Sequence, residues 1–144
     1  MNGARHCNFD GEQISLMCSE GIENPSASWL KDEIIDNVED LRIQIEEAFA
    51  HARWPCETKC ALMKILSKVD FRTEELNKYT YWDKERPYTR NLICTDNKNY
   101  TLLLLCWNSQ RESKIHNHPC DGCYVKCVRG ISLLELSSAE TDIF

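Results

Sequence analysis

Tyr100-Thr101-Leu102-Leu103-Leu104-Leu105-Cys106-Trp107 decides the fold. The run is apolar and has an aromatic residue at each end. Asp96-Asn97-Lys98-Asn99 precedes it and Asn108-Ser109-Gln110 follows it, both turn-like. An apolar run of this length between turn signals reads as a buried strand. Its apolar centre, Leu102 to Cys106, is far too short to span a bilayer. Working outward, Asn91–Cys94, Lys114–His118, Tyr124–Val128 and Ile131–Leu136 also read as strands. Pro119 to Gly122 and then Gly130 punctuate them.

Upstream the texture changes to helical periodicity. Across Lys31–Ala50, Ile34, Val38, Leu41, Ile45, Ala48 and Phe49 recur at three- and four-residue steps, with Asn37 and Asp40 placed to cap a start inside the window. Pro55 opens a second helix, about Cys56–Lys68, and Thr73 a short third through Asn77. Residues 1–28 show no clear periodicity and read as an irregular N-terminal arm. The remainder, 29–144, is one domain of helices followed by strands: an α+β pattern. Strands at such short spacing suggest a meander that curls into a barrel or jelly-roll. Only about five strands fit before Phe144, so the barrel is expected to be incomplete. An unpaired sheet edge is then expected to drive self-association, or to leave the chain partly molten.

The 144 residues amount to one domain's length, with 42% hydrophobic and 28% charged residues, an ordinary globular balance. Seventeen basic against twenty-three acidic residues give a net charge of −6, which argues against nucleic-acid binding. The acidic excess concentrates in Lys31–Ala50, as a solvated helix face or as a dock for a basic partner. Met1 to His6 leads into no apolar segment, so neither a signal peptide nor a membrane partner is expected. Nine scattered cysteines then read as thiols in a reducing, cytoplasmic compartment.

Chemistry concentrates after Pro87. In a strand, residues two apart share a face, so His116 and His118 would aim both imidazoles at one point, as two ligands of one metal do. They could equally be surface or hydrogen-bonded histidines. His116, His118, Cys120 and Cys123 also make a possible zinc set, although structural zinc sites usually join two separated pairs. Cys127 reads as a small buried apolar side chain. Arg90, in Tyr88-Thr89-Arg90-Asn91-Leu92, could hold a carboxylate in a planar pair or form a surface salt bridge.

Taken together, Tyr88-Thr89-Arg90-Asn91-Leu92, Leu105-Cys106-Trp107, Ser113 to His118 and Cys123, in that order, resemble cysteine dioxygenase, a non-haem iron enzyme of the cupin superfamily. The resemblance runs from about Val38 to Leu136 and includes Trp82-Asp83. It implies oxidation of L-cysteine by dioxygen to cysteine sulfinic acid, with one Fe(II) per chain. His116 and His118 would be two of three histidine ligands. Arg90 would pair with the substrate carboxylate, with the Tyr88 hydroxyl nearby. Cys123, five residues after His118, would be the cysteine that the family joins to a tyrosine in a thioether. Trp107 would pack the barrel. The full-length family is expected to be monomeric.

The chain also departs from that pattern. Its histidines are His6, His51, His116 and His118, so none follows His118, and the last tyrosine, Tyr124, adjoins Cys123. The third ligand and the crosslinking tyrosine are therefore missing, and Tyr124 would face away from Cys123. This reads as C-terminal truncation, with little turnover expected. Gln110 stands where cupins usually place a glycine. Two other functions compete: a non-catalytic zinc module, and an interaction protein with vestigial motifs.

Overall fold

Asn37 stops the chain in extended geometry, and its Oδ1 accepts the Asp40 N–H at 2.9 Å. That cap satisfies a donor with no partner inside the helix and opens α1, Val38–His51. The computed structural model describes residues 7–18, 30, 32–53, 55–113 and 122–134. Two more helices follow, α2 (Pro55–Ser67) and α3 (Thr73–Asn77). Glu75 of α3 reaches back to accept the Val38 N–H at 3.1 Å, tying the third helix to the start of the first. The extended residues Ile35 and Val69 run side by side, held by Ile35 N–H to Lys68 O (3.0 Å) and Asp70 N–H to Ile35 O (2.9 Å).

The strands are β1 (Cys7–Cys18), β2 (Tyr88–Thr95), β3 (Thr101–Ser113) and β4 (Gly122–Leu134). They form one antiparallel sheet in the order β2-β3-β1-β4. One face of the sheet carries Leu102, Leu104 and Cys106, all fully buried against Leu41, Ile45, Leu62, Ile65 and Leu76 of the helices. Each such aliphatic side chain contributes roughly 1.5–3 kcal/mol by leaving water. Tyr124 and Val128 of β4 pack on the same core.

The expected α+β composition is present, and the helices begin close to where Asn37, Pro55 and Thr73 place them. The turn at Asp96 is also as expected. Its carboxylate accepts the N–H groups of Lys98, Asn99 and Tyr100. Burial opposes ionisation there, but those bonds outweigh it and lower the group to about 2.

Four readings change. Cys7–Cys18 is not irregular: β1 pairs along its length with both β3 and β4. Its sequence lacks alternation because a mid-sheet charge, Glu12, is buried and held by Arg129, 117 residues away. Asn108-Ser109-Gln110 does not end a strand. The register steps from Phe9↔Arg111 to Gly11↔Trp107, so β3 bulges there, and Gln110 takes φ 57. That backbone explains why glycine suits the position. Gly130 does not break the chain either. It sits opposite Gly11 at φ 88, and the two expected strands around it run on as β4. Finally, Cys127 is half-buried rather than a core residue. The segment Lys114–His118 lies outside the described residues. Among the described residues the strands make an open sheet, with β2 and β4 at its margins.

Candidate functional site

Alternation along β2 separates two jobs. Thr89 and Asn91 turn toward the core side. The Thr89 hydroxyl donates to Tyr81 O, and Asn91 Nδ2 donates to Leu104 O and Thr89 Oγ1, each at 3.2 Å. Asn91 Nδ2 also lies 3.2 Å from the Cys106 sulfur. Burial pushes that Cys106 thiol up, which keeps it protonated and inert. Tyr88, Arg90 and Leu92 must then project from the opposite face.

On that face Tyr88 lies opposite Trp107 in register, and the two rings stack with centroids 4.2 Å apart and planes 27° apart. Arg90 Nη2 donates to the Tyr88 hydroxyl at 2.9 Å, and the guanidinium carbon lies 5.5 Å from the ring centroid. Tyr88 is half-buried, while Arg90 is exposed. Among the described residues Arg90 pairs with no carboxylate. What results is a cation with open donors beside a phenol, the chemistry that receives a carboxylate.

Asn108 holds the approach to this pair. Its Nδ2 donates to Asp83 O and Arg86 O, both at 2.7 Å, and its N–H donates to Pro87 O at 3.0 Å. The residues entering β2 are thereby pinned next to Trp107. Sequence reading assigned Asn108 only to a turn. An asparagine directly after the strand tryptophan was the available signal.

Cys123 lies elsewhere on the sheet. It is half-buried near the start of β4 and is paired with Met17, which in turn pairs with Thr101. Tyr124 packs on the core side, so the two neighbours face apart, as alternation requires. The row through Arg90 runs by register through Leu105 and Gln13 to Cys127. Three strand spacings separate the ends of that row, about 14 Å. The structure thus joins Tyr88, Arg90 and Trp107 but does not bring Cys123 to them.

His116, His118 and Cys120 lie outside the described residues, between the end of β3 and the start of β4. Among the described residues no group of three or more His, Cys, Asp or Glu side chains could hold a metal. His51 is in the last turn of α1, with Nδ1 2.9 Å from Glu47 O, on the helical layer. It does not supply a third imidazole beside Arg90. No helix is long and apolar enough to cross a membrane among the described residues.

The family model for cysteine dioxygenase type I matches residues 34–141. The chain belongs to the cysteine dioxygenase type I family. Tyr88, Arg90, Trp107, His116, His118 and Cys123 all fall inside the cysteine dioxygenase match, whereas β1 and Glu12 precede it. Rat cysteine dioxygenase type 1 is 33% identical over 66 residues, covering 46% of this chain and 32% of the rat protein. The human protein is 38% identical over 52 residues, covering 36% and 26% respectively. The zebrafish protein is 29% identical over 69 residues, covering 48% and 34%. The chain spans about a third of the length of these curated relatives. No solved structure matches it.

Proposed function

We propose that the chain is a thiol dioxygenase subunit that takes L-cysteine and dioxygen to cysteine sulfinic acid. The observation that carries this reading is the Tyr88–Arg90 pair, whose guanidinium stands on the face away from the core with no carboxylate against it among the described residues. Family membership supports the reaction class. Arg90 receives the substrate carboxylate through two parallel N–H donors. The Tyr88 oxygen accepts from Arg90, which leaves its own proton to donate to the same carboxylate. His116 and His118 are the residues that would hold Fe(II). When bound, Fe(II) supplies the redox chemistry that dioxygen needs to react with a thiol. Cys123 is the thioether candidate. A reducing, cytoplasmic setting belongs to the proposal and rests on the nine scattered cysteines of the sequence.

Anaerobic iron loading followed by calorimetric titration tests the carboxylate site. Arg90→Ala should weaken L-cysteine about tenfold or more and leave cysteamine, the same thiol and amine without a carboxylate, unchanged. Equal affinities of the wild-type and variant chains for L-cysteine would sink the assignment.

A further inference from the structure

Arg90 is exposed and flexible by nature, yet a carboxylate receiver needs its fork held in one direction. The chain of contacts that holds it starts below the surface. Trp107 is only 3% exposed, while its register partner Tyr88 is half-buried and Arg90 exposed. The indole lies on the Tyr88 ring, and the Tyr88 hydroxyl takes the Arg90 Nη2 proton. Each contact fixes the next: the buried indole sets the phenol plane, and the phenol oxygen sets the guanidinium. The backbone beside Trp107 is held in turn by the three bonds of Asn108 to the segment entering β2.

We propose that Trp107 is a positioning residue for carboxylate recognition, acting on Arg90 through Tyr88, and not merely a packing residue of the sheet. This rests on the reading of Arg90 as the carboxylate receiver. A packing role alone would support every ligand equally. A positioning role has a selective signature, because only ligands bearing a carboxylate use the Arg90 direction.

The test compares L-cysteine with cysteamine by anaerobic calorimetry on the iron-loaded chain. Calorimetry reads affinity separately from the fraction of competent chains, so loss of fold appears in the stoichiometry. Trp107→Leu should weaken L-cysteine about tenfold and cysteamine less than about threefold. Trp107→Phe, which keeps a ring on Tyr88 and is the safer variant for folding, should hold both within about threefold. In an Arg90→Ala background, Trp107→Leu should have no further effect on L-cysteine, because the two act through one contact. Equal weakening of both ligands by Trp107→Leu would reduce Trp107 to packing and overturn the proposal, as would no change in either. A loss that persists in the Arg90→Ala background would do the same. If Arg90→Ala itself spares L-cysteine, the carboxylate reading fails and takes this proposal with it. If Arg90→Ala is selective while Trp107→Leu is not, only the positioning role falls.

Discussion

Glu12→Gln probes the most costly charge among the described residues. The Glu12 side chain is 3% exposed. One oxygen takes Arg129 Nη1 at 3.0 Å, and the other is buried with no hydrogen-bond partner among the described residues. At that distance the attraction is of order 5 kcal/mol at an effective dielectric near 20. Removing a carboxylate from water costs several kcal/mol, and the Arg129 side chain, 39% exposed, keeps its attraction partly screened by solvent. Burial wins: it raises the Glu12 carboxyl above its ordinary 4.5, and Arg129 only partly offsets this. The folded chain therefore holds this proton more tightly than the unfolded one. Stability falls as pH rises from 4.5 through the raised folded value. Glutamine keeps the shape and an acceptor for Arg129 and discards the charge. At pH 7 Glu12→Gln should stabilise the fold by about 1 kcal/mol. The gain should shrink as pH falls toward 4.5, because the folded wild-type carboxyl takes up its proton more readily than the unfolded one. Urea unfolding followed by tryptophan fluorescence at several pH values measures both effects. A loss of stability at pH 7, or a difference that does not change with pH, would mean that the Arg129 pair outweighs burial.

Three further outcomes follow from particular residues. Gln110→Gly should raise stability by about 0.5–1 kcal/mol, read as a higher melting temperature, because glycine takes φ 57 without a Cβ penalty. Leu104→Ala, at a fully buried site facing the helices, should cost about 3 kcal/mol in the same denaturation assay. Asn37→Ala should cost about 1 kcal/mol by removing the side-chain acceptor at the start of α1, and a stability unchanged within error would contradict the cap.

Local signals made the helices and β2 legible in the sequence. Asn37 and Pro55 mark starts by short-range chemistry, Thr73 coincides with the first residue of α3 without capping it, and the apolar spacing after Asn37 gives the buried face of α1. The Asp96 turn is equally local, since one carboxylate satisfies three successive N–H groups. β1 was not legible, because its partners are remote. Asp10, Gly11 and Glu12 interrupt any alternation, and the arginine that makes Glu12 tolerable comes at position 129. The lengths of β3 and β4 were hidden for a related reason. Gln110 and Gly130 look like strand ends, but bulged or glycine-bearing pairing carries the ladder past both. At the site, Arg90 was visible as a guanidinium at a strand start, and Tyr88 only through the family resemblance. The roles of Asn91, Trp107 and Asn108 depend on which strand lies beside which, and no single segment encodes that.

The bulge in β4 has a consequence for insertions and deletions. Glu12 pairs with Arg129 and Gln13 with Cys127, so Val128 is the extra residue that brings an odd-numbered arginine round to meet Glu12. Cys123, Val125 and Cys127 share Arg129's parity but not its side of the sheet. Val128 therefore works as a phase setter for what lies beyond it. Deleting that one residue would leave composition and hydrophobicity almost untouched, yet the register beyond it would slip by one and Arg129 would turn away from Glu12. Variation in this strand is then best judged by whether it preserves count, before asking what it changes in kind.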